Sequence, residues 1–212
     1  MARDPSPPAP AAPTPTPPAG DGGATTADEG RRTLVTWLWR LPVLAALGGA
    51  AFGLLQAYRI HFAKEAPDPD PSFEPAAPVD IAPLTAFASA WDAVDFTVAQ
   101  VPCVAVRLPE AVPGGLDLPG GVHLAAFSRV CTHLACIVEL NRDTEAVAFA
   151  FNHRSDRPSL TCACHFSVFD PLRAGRAVSG PAVRPLPRAR LRLLPDADAG
   201  DRIVADGIER AT

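Results

Sequence analysis

Large apolar side chains follow three different patterns along this chain. Residues 1–30 hold almost none. Residues 41–58 are an uncharged run of 18 residues. As a helix that run would measure about 27 Å, close to the roughly 30 Å of a bilayer's hydrocarbon core. The apolar turn at 33–39 lengthens it, so a membrane-spanning helix is predicted. Arg40 would snorkel to one interface beside Trp37 and Trp39, and Pro42 would fall near the helix start. From about residue 91 the pattern changes to short apolar runs separated by turn signals such as Gly114-Gly115 and Gly120-Gly121. This predicts β segments at 96–98, 103–108, 122–128, 137–140, 146–151, 166–169, 186–194 and 203–205. No amphipathic helix of ten residues and no internal repeat is evident in that region.

Composition fixes what lies between. Of 25 prolines, eight fall in the first 20 residues and another group lies between Pro67 and Pro83. A Pro-, Ala- and Thr-rich stretch buries too little surface to offset its ordering entropy, so residues 1–30 are expected to be a disordered tail. The expected plan is therefore a tail at 1–30, a transmembrane anchor at 31–61, a semi-rigid Pro-rich hinge linker at 62–90 and a folded domain at 91–212.

Charge excludes one class of function. The formal net charge is −4, and Arg184, Arg188, Arg190 and Arg192 alternate along a predicted strand, which reads as a solvated face. No basic footprint for nucleic acid is present. Arg3, Arg31, Arg32 and Arg40 outnumber Arg59 and Lys64 across the apolar run, which favours a cytoplasmic N-terminus. Arg31-Arg32 also looks like a partial twin-arginine export signal. No small-residue cleavage site follows Tyr58, so an uncleaved anchor is expected.

The chemistry is concentrated in two segments, Cys131-Thr-His-Leu-Ala-Cys136 and Cys162-Ala-Cys-His165-Phe-Ser167. Each offers a cysteine and a histidine close together, plus one further cysteine. A Cys₂His₂ set suits tetrahedral zinc, and it equally suits a [2Fe–2S] cluster whose irons take two thiolates and two imidazoles. Zinc modules usually space their ligands as C-x₂₋₄-C and H-x₃₋₅-H. Here the spacing is C-x-H and C-x₂-H, one of each kind per segment. Cys103 stands apart, alternates with apolar neighbours and reads as a buried inert thiol.

The pattern C-T-H-L-x-C followed by C-x-C-H-x-S resembles the high-potential Rieske proteins of quinol-oxidising cytochrome bc complexes. The likeness is close over about 122–185. It implies an all-β Rieske-type domain, an antiparallel β sandwich with an inserted cluster-binding subdomain at about 128–185, plus the one N-terminal transmembrane helix. One Rieske [2Fe–2S] cluster per chain is implied. Cys131 and Cys162 would bind the inner iron, and His133 and His165 the outer one. Cys136 and Cys164 would form a disulfide, Ser167 would donate a hydrogen bond to a cluster sulfur, and Gly180-Pro181-Ala182 would cover the cluster.

The resemblance also implies a role and partners. The protein would be the redox subunit of a quinol–cytochrome c reductase, not catalytic alone. His165, with His133 beside it, would meet quinol, take an electron and a proton, and pass the electron to a cytochrome c. A cytochrome b subunit and membrane lipid would be its neighbours. The place would be a bacterial cell membrane, with the head on the extracytoplasmic side. Some residues depart from the family pattern. Ala135 replaces a glycine and Ala163 a proline, both changes expected to cost little. Phe166 replaces a glycine, and Cys-His-Phe-Ser is similar to the small Rieske subunit of arsenite oxidases, the alternative assignment. Phe169 replaces a tyrosine, which removes a hydrogen bond to a ligand sulfur. A potential below the top of the Rieske range of roughly −150 to +300 mV is expected.

Overall fold

A computed structural model describes residues 25–195 and 200–210, without the side chains of residues 25–27 and 61. Residues 1–24 of the tail expected at 1–30 lie outside the described residues, and its last six residues, 25–30, are helical instead of disordered. Contacts divide the chain into two units, Met1–Ala51 and Phe52–Thr212.

Helix α1, Thr25–His61, begins before Arg31, the expected anchor start. Asp28 in its first turn complements the helix dipole and pairs with Arg32 one turn on at 3.3 Å. Because the helix starts early, Pro42 lies well inside it. Residues 28–60 are long and apolar enough to cross a membrane, and none of that segment's best apolar window is buried against protein. Leu34, Trp37, Leu44, Phe52 and Leu54 all stand exposed along it, surface that water does not favour.

The β domain starts with β1 (Phe73–Pro83), β2 (Ala93–Val98), β3 (Val101–Leu108), β4 (Leu116–Leu118) and β5 (Val122–Ser128). It continues with β6 (Glu139–Asn141), helix α2 (Thr144–Phe151), β7 (Ser159–Cys162), β8 (Ser167–Asp170) and β9 (Arg176–Ser179), and closes with β10 (Arg188–Leu194) and β11 (Arg202–Glu209). The larger sheet has the order β1-β11-β10-β5-β3-β2, with β4 beside β5; the smaller has the order β6-β7-β8-β9. Every pairing is antiparallel. Since β5 pairs with β10, the smaller sheet is an insertion into the larger one.

Strands β3 and β5 form the wall between two cores. Cys103, Ala105, Leu124 and Ala126 face one core, closed by Phe87, Ala189, Leu191, Ile203 and Ala205. Val104, Val106, Ala125 and Phe127 face the other, shared with Cys131, Leu160, Cys162, Phe169 and Ala177 of the insertion. Burial on both faces explains why these strands read as continuous apolar runs instead of alternating ones.

Three expectations are corrected. The segment 62–90 contains β1, whose Pro75 and Pro78 read as linker. An edge strand tolerates prolines, and β1 pairs with β11 alone, with register shifts after Pro75 and Asp80. The strand expected at 146–151 belongs to α2, whose Asp143 cap accepts hydrogen bonds from the backbone N–H groups of Glu145 and Ala146. The arginine row is a solvated face only in part: Arg184 and Arg192 are exposed, but Arg188 is 1% exposed, and its guanidinium donates to both carboxylate oxygens of Glu209 at 2.7 and 2.8 Å. Arg190 and Arg192 both bond Asp206.

Candidate metal centre

Two tight turns and a covering loop build the tip of the insertion. The first turn leaves β5. The Cys131 amide donates to the Cys136 carbonyl at 2.8 Å, the Ala135 amide to the Cys131 carbonyl at 2.9 Å, and the Val138 amide to the Arg129 carbonyl at 2.8 Å. The second turn joins β7 to β8, where Cys162 faces Ser167 across the ladder. Ala135 and Phe166 hold φ of +57° and +59°. Both backbones are therefore left-handed, where glycine is at ease and other residues are strained by roughly 1 kcal/mol or more. The expectation that Ala135 costs little is corrected on that ground.

The turns are locked together. Cys136 and Cys164 are disulfide-bonded, with Cα atoms 6.5 Å apart. Cys131 and Cys162 remain free thiols, both buried, and their side chains lie within hydrogen-bonding reach of each other. The sulfurs of Cys136, Cys162 and Cys164 lie within 4.8 Å of one another. Two of these are spent in the disulfide, so the grouping shows how near the bridge sits to Cys162 and is not a ligand set. The imidazoles of His133 and His165 meet edge to face, with centroids 4.8 Å apart. His165 is exposed and His133 half-buried.

The covering loop, residues 180–182, approaches the second turn closely. A Cβ on Gly180 (φ +77°) would lie 2.4 Å from the Phe166 carbonyl oxygen, so only glycine fits. The Ser167 Oγ, fully buried, accepts from the Ala182 amide at 3.1 Å. Its hydroxyl proton is left to donate elsewhere. Thr132 ties the first turn to this loop through the Arg184 carbonyl at 2.8 Å. Lys64 holds the loop from outside, donating to the carbonyls of Gly180 at 2.5 Å and Ala182 at 2.6 Å. It is the chain's only lysine. That singularity was the available signal for its role, and sequence reasoning missed it. Arg129 was missed too; its guanidinium bonds the Val138 carbonyl and Asp95, bracing the first turn.

The residues fit a metal cluster. His133 Nδ1 is buried and has no hydrogen-bond partner among the described residues, as expected of a nitrogen kept for a metal. Burial raises the pKa of the Cys131 thiol and the neighbouring Cys162 raises it further, while the backbone N–H groups of His133 and Leu134 pull it down. Two thiolates this close need a cation between them. Two soft sulfurs and two imidazoles on joined turns are the donor set of a two-iron, two-sulfide unit with mixed ligation. Cys103, by contrast, is pushed up to about 12 by burial and stands as the inert thiol.

Comparison with known proteins agrees. Residues 93–190 match the Rieske [2Fe–2S] domain family. The cytochrome bc1 complex Rieske iron-sulfur subunit of Corynebacterium efficiens is 32% identical over 82 residues, which is 39% of this chain and 16% of that protein. A Haloferax mediterranei protein, provisionally named a respiratory nitrate reductase subunit Rieske, is 36% identical over 63 residues, covering 30% of this chain and 22% of its own length. The match thus spans less than a quarter of these relatives. The soluble domain of Rieske protein II from Sulfolobus acidocaldarius aligns over 64% of this chain and 81% of its own, with 23% identity and a TM-score of 0.46.

Proposed function

We propose that the Rieske [2Fe–2S] domain carried by residues 93–190 is the electron-transfer unit of a membrane quinol:cytochrome c oxidoreductase, held beside a cytochrome b subunit. Cys131 and Cys162 would hold the buried iron of the cluster, and His133 and His165 the outer one. When bound, the cluster supplies one-electron transfer coupled to the protonation of an imidazole.

The observation that carries this reading is the asymmetry of the two imidazoles: one exposed at the tip, the other half-buried with an unpartnered nitrogen. His165 can accept a hydrogen bond from a quinol hydroxyl and hold the proton on its ring nitrogen. Exposed Leu134 and Phe166, at 62% and 54%, flank the imidazoles in sequence and offer apolar contact to a quinone ring. The disulfide and the covering loop hold both turns, so the imidazoles keep their geometry. Helix α1 supports an anchored chain, and the arginine excess before it supports an N-terminus in the bacterial cytoplasm with the head outside.

The hinge is shorter than 62–90. Arg176 bonds the Lys64 carbonyl at 3.1 Å, the Glu65 amide donates to Val183 at 3.0 Å, and Arg188 donates to the Asp68 carbonyl at 2.9 Å. A head that moves between donor and acceptor must pivot before Lys64 or break these contacts.

Phe166 favours a second reading. It stacks edge to face on Phe151 at 5.9 Å, an aromatic cover at the site's rim. This suits the small subunit of an arsenite-oxidase-like molybdoenzyme, where the cluster touches no quinol. Purification of the native complex in mild detergent separates the two, since a cytochrome b partner supports the first and a molybdopterin subunit the second. Membranes carrying His165→Gln should lose quinol-dependent cytochrome c reduction. Unchanged turnover would remove quinol oxidation from consideration.

A further inference from the structure

The insertion carries an open cleft of about 510 Å³, lined by His153 but by neither His133 nor His165, that the electron-transfer reading does not use. Lys64, Arg154, Arg157, Arg173 and Arg176 line it, with Asp156 and Asp170 the only carboxylates. A surplus of three positive charges is therefore gathered in one concavity of a chain whose formal net charge is −4. Concave walls focus such a field, and the volume is that of a small-molecule site.

The cations in this cleft are incompletely used. Arg157 reaches Asp156 at 3.5 Å and Asp170 at 3.8 Å, and Arg173 reaches Asp170 at 3.5 Å. Charge-assisted hydrogen bonds are about 2.7–2.9 Å. Elsewhere in the same domain Arg188 meets Glu209 at 2.7 Å and Arg190 meets Asp206 at 2.6 Å. Asp170 also spends one oxygen on the Leu172 amide. Arg154 is exposed and makes no ion pair among the described residues. Pairs this long leave the guanidinium N–H groups of Arg157 and Arg173 without a close acceptor among the described residues, and such forks match the tetrahedral oxygens of a phosphoryl group.

We propose that this cleft binds an anionic phosphoryl group. Its place in the chain indicates one source. Lys64 follows the end of the candidate span at Ile60 by four residues, a reach of at most about 14 Å. Exposed Phe62 lines the same cleft. An aromatic side chain beside cations at the edge of a span is how proteins meet phospholipid headgroups. The lipid source rests on the membrane reading of α1; the phosphoryl site itself rests on neither that nor the cluster.

The test uses the full chain with its cluster and the double variant Arg154→Gln/Arg173→Gln, whose side chains are both exposed. In one arm, inorganic phosphate is titrated into protein in nonionic detergent and followed by phosphorus NMR line broadening. In the other, protein in nanodiscs of phosphatidylcholine mixed with phosphatidylglycerol is ejected for native mass spectrometry and the retained lipid is identified. The expected result is salt-sensitive phosphate binding, weakened about tenfold in the variant, and retention of phosphatidylglycerol that the variant loses. Phosphate binding without lipid retention supports the site and assigns it to free phosphate. Binding in neither arm, or equal binding by the variant, overturns the proposal. An unchanged reduced-state EPR spectrum in the variant separates these outcomes from any failure of the cluster reading.

Discussion

The two faces of the β3–β5 wall are built from the same small and branched apolar residues, yet they are closed differently. On one face Phe87, Leu191, Ile203 and Ala205 complete an apolar core whose one sulfur, the Cys103 thiol, is inert. On the other, strands of three or four residues bring two free thiols, a disulfide and a glycine-dependent loop contact. Strands this short bury little surface each, so cross-links and ligands replace packing there. The larger sheet is therefore expected to fold without metal, and the insertion is not.

Removal of a candidate ligand should have the largest effect. Cys131→Ser should abolish the reduced-state EPR signal. It should also erase amide-exchange protection in 139–179 while 101–108 and 122–128 stay protected. Equal loss in both regions would show one cooperative unit. Next in size, Cys136→Ser/Cys164→Ser opens a cross-link of sequence separation 28. The entropy of that loop corresponds to about 3.5 kcal/mol in urea unfolding, and the loss should fall on the insertion. Smaller still, Phe169→Tyr adds a hydroxyl to a side chain that is fully buried beside Cys131 and Cys162. One new hydrogen bond of roughly 1 kcal/mol should raise the midpoint potential by about 40 mV in a redox titration. The smallest effect is expected from Ala135→Gly, which relieves a left-handed alanine and should stabilise the insertion by about 0.5–1 kcal/mol in the same urea assay.

Sequence made the two regions legible to different degrees. Strands β3, β5 and β10 could be read because their apolar runs were long and bounded by turn residues. A candidate donor set could be picked out because cysteine and histidine at those spacings have few other uses. What stayed hidden depended on partners far along the chain. Pro75 and Pro78 masked an edge strand because nothing local reveals that β11 lies alongside. Residues 146–151 of α2 passed for a strand because a helix of eight residues presents too few turns to show its period. Arg188 passed for surface because its counter-charge, Glu209, lies 21 residues away. The strain at Ala135 and Phe166 was hinted at only by the glycines that stand there in resembling proteins.

The insertion departs from Ser128 and returns at Arg188, and at that point the chain meets itself: Phe127 faces Arg188, and the Ser128 amide bonds the Pro187 carbonyl at 2.7 Å. A short turn could bridge those ends without disturbing any pairing of the larger sheet. The segment proposed to hold the cluster is thus a cassette with adjacent terminals, free to be exchanged or retuned while its chassis is kept. Its excision would leave Val104, Val106 and Phe127 as a bare greasy face, so a chassis on its own would need a new lid to stay in solution.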